Sequence, residues 1–141
     1  MSTSDTGEEA EREVCGLVNA LARRIEAHVR TRATALGLTA AQAVALRELT
    51  GPMTMRELAD RMSCEPSNAT FVVDRLEEKG FVERRPLPGD RRIKQIVLTR
   101  DGQDRRKQLL AVLTDDSPLQ PLTRHEQQTL QRLLTRAVTG K

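Results

Sequence analysis

The sequence predicts a mainly α chain carrying one small β hairpin. Three observations lead there. Apolar residues recur at helical spacing near both ends of the 141-residue chain, at Val14, Leu17, Val18, Leu21, Ile25 and Val29 and again at Leu130, Leu133, Leu134, Ala137 and Val138. Three tetrads that open at Thr39, Thr54 and Thr123 have the capping-box form, with Gln42, Glu57 and Glu126 in the third helical position. Between Phe81 and Leu98 the helical period gives way to short, partly alternating runs around Pro86, Pro88 and Gly89.

Taken in order, the chain begins with an acidic, polar stretch that is neither a signal peptide nor a basic targeting arm. The first helix is expected over residues 10–36, with Gly37 at or just past its C-cap. Thr39 opens a second helix, which Gly51-Pro52 ends, and Thr54 opens a short third one through Leu58, Ala59 and Met62. A turn at Ser63–Ser67 places Pro66 early in a fourth helix, whose apolar side is Ala69, Val72, Val73 and Leu76 and which Gly80 stops. Phe81–Arg85 reads as a strand, Pro86–Arg92 as a seven-residue loop and Ile93–Leu98 as a second strand. Such a hairpin is marginal alone and must pack on the helices before it. Thr99 caps the next helix, Asp115–Pro121 breaks it, and Thr123 opens the last.

Three short helices followed by a hairpin form the winged helix-turn-helix arrangement. The reading is one domain over residues 1–141, with the winged lobe at 39–103. The helices at 10–36 and 104–141 serve as dimerisation helices, because a lone lobe would leave their apolar stripes in water.

Composition narrows the functions open to this fold. At 38% apolar and 30% charged residues the chain is not a disordered one. No apolar run reaches the length of a membrane span. Two cysteines, Cys15 and Cys64, are neither a disulfide framework nor a metal motif, and suit a reducing cytoplasm. With two histidines in separate segments, no metal site, cofactor site or catalytic constellation is expected, and the chain does not read as an enzyme. The absence of Trp and Tyr disfavours single-stranded nucleic acids, which need stacking platforms.

The distribution of charge is more telling than the net +3. Arg84 to Lys107 holds nine basic residues against three acidic ones. A basic hairpin directly after a helix-turn-helix pattern suits duplex DNA. A helix enters the major groove while the hairpin follows a backbone or places an Arg in the minor groove. The alternative is an ordinary solvated hairpin. The fourth helix keeps its charges, Asp74, Arg75, Glu77, Glu78 and Lys79, in its C-terminal half. Its uncharged first turns, with Ser67, Asn68, Thr70 and Phe71, are the end expected to face DNA. Asn68 has the chemistry to pair with adenine, and Ser67 is alternatively a plain N-cap.

The stretches Glu65–Thr70, Val73–Arg85, Gly89–Arg92 and Ile96–Thr99 with Gly102, together with Leu38–Leu46 upstream, resemble the MarR family of bacterial transcriptional regulators over residues 10–140. The resemblance implies a homodimer on pseudopalindromic double-stranded DNA. It implies a repressor released by a small anionic or aromatic effector. It also gives Arg92 the minor groove, Asp90 the shaping of the wing, and Arg84 a place near the wing base. Arg91 and Lys94 are expected to add phosphate contacts. Ser67, Asn68 and Thr70 match positions facing the major groove. Phe71 departs from the pattern, since many members carry an Arg there. Phe cannot bond to guanine or phosphate but can touch a thymine methyl.

Two further readings stay open. Cys15 lies where one branch of the family, the organic-peroxide sensors, has a reactive thiol. Those proteins surround it with tyrosines that this chain lacks, so a small buried packing residue is the other reading. Cys64, in the turn before the fourth helix, is similarly either reactive or incidental. Phe71 and the acidic half of its helix also admit a protein-interaction adaptor that kept the scaffold without DNA binding. Arg23, His28, Arg30 and Arg47 are candidates for an effector pocket, with His28 otherwise a surface histidine.

Overall fold

A computed structural model describes the backbone of residues 3–141 and the side chains from Thr6 onward. The elements run α1 (Thr3–Ala35), α2 (Ala40–Glu48), β1 (Met53–Thr54), α3 (Met55–Met62), α4 (Pro66–Glu78), β2 (Val82–Leu87), β3 (Asp90–Leu98), α5 (Arg100–Thr114) and α6 (Arg124–Thr139). All three expected capping boxes form, at Thr39/Gln42, Thr54/Glu57 and Thr123/Glu126.

The chain falls into two compact units, one comprising Glu26–Leu113 and the other Met1–Ile25 with Thr114–Lys141. In the second of these, α1 begins seven residues earlier than the apolar stripe suggests, at Thr3 rather than residue 10. The acidic stretch is polar all round yet continues the helix that Val14 and Leu17 mark. In α6 none of the residues is buried. Val14, Leu17 and Val18 on α1, and Leu133, Leu134 and Val138 on α6, are exposed.

In the unit Glu26–Leu113, α1 ends in a Schellman motif. The Gly37 N–H donates to Thr34 O at 3.1 Å and the Leu38 N–H to Ala33 O at 3.0 Å, with Gly37 at φ +70°. Helices α2, α3 and α4 then pack around an aliphatic core that includes Leu46, Leu49, Leu58, Leu76, Ile96 and Leu109. Ser63, at φ 55°, turns the chain from α3 into α4.

The strands differ from the expected lone hairpin. A third strand, β1, pairs with β3 (Met53↔Ile96, Thr54↔Gln95), giving an antiparallel sheet in the order β1-β3-β2. Two residues carry no periodicity, so β1 was invisible to pattern reading. The hairpin strands are longer than expected, and only Pro88 and Gly89 form the turn between them. The regular β2–β3 ladder runs from Val82↔Leu98 to Pro86↔Lys94, then shifts so that Leu87 faces Asp90. Residues 91–93 thus have no partner on β2 and form a bulge, which takes in the end of the expected loop and Ile93 of the expected strand.

The start of α5 is pinned to the strand side of the same unit. Thr99 Oγ1 donates to Gly80 O at 2.6 Å and accepts from the Gly102 N–H at 3.0 Å, while the Thr99 N–H donates to Phe81 O. A Cβ on Gly102 would lie 1.9 Å from Phe81 O, so this approach requires glycine.

Candidate nucleic-acid interface

Helix α4 buries Ala69, Val72, Val73 and Leu76. At 3.6 residues per turn, the line Ser67–Phe71–Asp74–Glu78 then lies about 150–170° round the helix from that buried stripe. Asn68, Thr70 and Arg75 flank the line, and all seven residues are exposed. Pro66 takes the first helical position. The N-cap is Glu65, which makes no side-chain capping bond, so Ser67 is not the cap but a residue of the first turn. Pro66 has no N–H and the amides of Asn68 and Ala69 donate to Glu65 O, which leaves the Ser67 N–H open to an acceptor on DNA.

Thr70 is more constrained than the sequence indicates. Its hydroxyl donates to Pro66 O at 2.9 Å, one turn back. With that bond in place it can accept from a base amino group but has no hydrogen for a phosphate.

The acids of α4 are compensated. Arg84, on β2, donates to Glu77 and to Asp74, at 2.5 and 2.6 Å. Arg75 reaches both carboxylate oxygens of Glu78 at 3.0 Å. Arg84 thereby joins the wing strand to the recognition helix and offsets two negative charges on a face otherwise suited to DNA. The acidic half that admitted an adaptor reading is thus largely neutralised by neighbours.

The nine basic residues of the segment 84–107 fall into distinct groups, with Arg100 and Lys107 exposed on α5. Arg84 and Arg85 are in ion pairs, Arg85 with Glu83 on its own strand. Arg105 donates to Leu36 O at the end of α1 and stacks over Phe81, its guanidinium carbon 5.1 Å from the ring centroid. Arg106 donates to Leu46 O and Arg47 O at 2.9 and 3.0 Å, closing the C-terminal end of α2. These two act as cationic helix caps. In the sequence they look like surface charge because their partners lie 59–69 residues away. At the wing tip, Arg91 and Lys94 are exposed and have no partner among the described residues. The Arg92 side chain is 91% exposed even though it reaches Asp90. The Asp90 carboxylate accepts from the Arg92 backbone N–H at 3.1 Å and from its Nε at 3.2 Å.

Of the remaining candidates, Cys15 is exposed within the single chain, on the same stretch of α1 as exposed Val14 and Val18, and Cys64 is half-buried. His28 is not a plain surface histidine, since its Nε2 donates to Leu113 O at 2.9 Å. Arg47 pairs with Glu48, while Arg23 and Arg30 are exposed. Among the described residues no group of His, Cys, Asp and Glu could hold a metal ion. None of their helices is long and apolar enough to cross a membrane.

A MarR family model matches residues 38–94, from the start of α2 into β3. YcgE, an uncharacterized HTH-type transcriptional regulator of Bacillus subtilis (strain 168), is 32% identical over 119 residues, covering 83% of this chain and 77% of its own. The chain belongs to the MarR family. That family consists of DNA-binding transcriptional regulators rather than enzymes, and its members typically bind DNA as homodimers. The MarR-family chain is also similar to the HTH-type transcriptional repressor MdtR of the same organism, 32% identical over 96 residues. That match covers 67% of this chain and 62% of the length of MdtR. Among solved structures it is similar to a cysteine-to-serine mutant of MarR from E. coli complexed with operator DNA. The TM-score is 0.68 and the identity 28%, over 89% of this chain and 93% of that one.

Proposed function

We propose that this MarR-family chain is a sequence-specific regulator that binds pseudopalindromic duplex DNA as a homodimer and acts as a repressor. The observation that carries the reading is the contrast within one basic segment. Arg84, Arg105 and Arg106 are part-buried and committed to partners within the fold, whereas Arg91, Arg92 and Lys94 stand in solvent at the wing tip. The uncharged first turns of α4 are exposed in the same unit. Ser67, Asn68, Thr70 and Phe71 are assigned to the major groove. Arg91, Arg92 and Lys94 are assigned to backbone and minor groove, with Asp90 and Arg84 shaping and holding the wing.

The exposed apolar residues on α1 and α6 support the homodimer. Repression is supported by the likeness to the repressor MdtR, and operator binding by the likeness to the E. coli MarR–operator complex. A small anionic or aromatic effector belongs to this reading through the family resemblance. The test is selection of bound duplexes from a random pool, followed by sedimentation of the complex and release assays with a compound panel. Two-fold sites with centres about one helical turn apart, roughly 34–36 Å, bound two chains per site, are the expected result. A monomer that binds one chain per site overturns it.

A further inference from the structure

We infer that Phe71 reads thymine, its ring packing on the C5-methyl group of one thymine per half-site while Arg75 holds the ring in position. The inference rests on the DNA-binding reading above and extends it to a base and an atom.

Phe71 is one of only two aromatic residues in the chain, and it is 61% exposed. A large aromatic side chain at the centre of a polar helix face is available to a partner surface, where such rings dominate the energetics once buried. Its place on the outward line of α4, one turn after Ser67 and one before Arg75, puts it among the side chains that project farthest from the core. The Arg75 guanidinium carbon lies 5.0 Å from the ring centroid, a stacked cation–π contact. Arg75 is itself anchored on both carboxylate oxygens of Glu78. The series Phe71–Arg75–Glu78 therefore fixes one face of the ring against the helix, and Arg75 is a positioning residue whose charge is largely offset.

What such a ring can meet in a major groove is limited by chemistry. The base edges there present N7, O6 and O4 acceptors, amino donors and one apolar group, the thymine methyl. A phenyl ring satisfies none of the polar groups and leaves them desolvated without a hydrogen bond. Against the methyl it gains contact and displaces water from both partners. Phe71 thus favours thymine and disfavours every polar edge at its position, and neighbouring Asn68 is left to make hydrogen bonds.

The experiment is a uracil scan. Duplexes selected by the wild-type protein are resynthesised with each thymine replaced in turn by deoxyuridine, which removes only the methyl group. Affinity is then read by fluorescence anisotropy. With wild type, one thymine per half-site should show about a fourfold loss, equivalent to ~0.8 kcal/mol for one buried methyl. The loss should shrink with Phe71→Leu and vanish with Phe71→Ala. The paired change Arg75→Gln with Glu78→Gln, which removes one charge of each sign, should reduce it while leaving the salt dependence of binding unchanged. A flat scan with wild type, or a loss that persists in Phe71→Ala, overturns the inference and leaves the DNA-binding reading standing. Failure to recover any bound duplex overturns both.

Discussion

The backbone N–H of Arg92 donates to the Asp90 carboxylate across the tip of the wing, at 3.1 Å. This bond lies where the β2–β3 register shifts and residues 91–93 have no partner on β2. A carboxylate two residues before the N–H it accepts is a local turn-forming device. It sets the direction in which Arg92 leaves the backbone.

Asp90→Ala removes a negative charge beside DNA, which by itself tightens binding. It also frees the bulge, and the loss of a hydrogen bond worth ~1 kcal/mol should dominate, weakening binding about fivefold. Asp90→Asn should bind at least as well as wild type, because its amide oxygen accepts the same N–H. Anisotropy on specific and scrambled duplexes at several salt concentrations checks both. Tighter binding by Asp90→Ala on both duplexes excludes a shaping role.

Arg84→Gln should weaken binding to all duplexes, although Arg84 is assigned no phosphate. Its guanidinium offsets Asp74 and Glu77, and without it two carboxylates on the DNA-facing helix are uncompensated. The partly exposed cluster should contribute only about 0.5–1 kcal/mol to stability. The paired change Asp74→Asn with Glu77→Gln should raise affinity more in the Arg84→Gln background than in wild type. Equal gains in both backgrounds would show that Arg84 acts on DNA directly.

Much of this arrangement was legible in the sequence, because the capping boxes and apolar stripes are local signals. Thr39, Thr54 and Thr123 each open the helix expected of them, and Gly37 and Gly80 close theirs at positive φ. What escaped was non-local. β1 exists through two residues that pair with Ile96 and Gln95 some 40 positions on. Arg105 and Arg106 looked like solvent-facing charge until their carbonyl partners on α1 and α2 were located. Burial of Cys15 is expected from the apolar residues beside it, but Val14 and Val18 are themselves exposed in the single chain, so any burial there depends on a partner surface.

Gly102→Ala should be the most destabilising single-methyl change in the unit Glu26–Leu113. The added Cβ would fall 1.9 Å from a backbone carbonyl oxygen, and no side-chain rotation relieves that. The start of α5 must move off Phe81, breaking the Thr99 bonds to Gly80 and Phe81. The expected cost is about 2–4 kcal/mol, read from thermal or urea unfolding. A loss below 1 kcal/mol would mean that this approach yields easily.

Cys15→Ser should leave DNA release unchanged under mild organic peroxide. The thiol is exposed, but the chain contains no tyrosine to bond a thiolate. Wild type and variant are compared on the selected duplex at micromolar peroxide. Release by wild type alone would restore the thiol-switch reading.

Arg92 and Arg106 carry the same charge and should fail in opposite ways. The Arg92 side chain is 91% exposed, and its partner Asp90 also serves the backbone. Arg92→Ala should change folding stability by no more than about 0.5 kcal/mol, as surface substitutions do. It should lower the slope of log affinity against log salt by about 1, as expected when one fewer phosphate is neutralised. The loss of affinity should be larger where a narrow A·T-rich minor groove flanks the site. Arg106 is half-buried and donates to Leu46 O and Arg47 O. Arg106→Ala leaves both carbonyls at the α2 terminus without that donor and should cost about 1–3 kcal/mol in unfolding free energy. Its salt slope should match wild type at temperatures where the variant is folded. Unfolding curves and salt titrations on the same two variants decide the matter. If Arg106→Ala lowers the slope as much as Arg92→Ala, the basic segment acts as a diffuse field. The division between caps inside the fold and cations at the wing tip then does not govern binding.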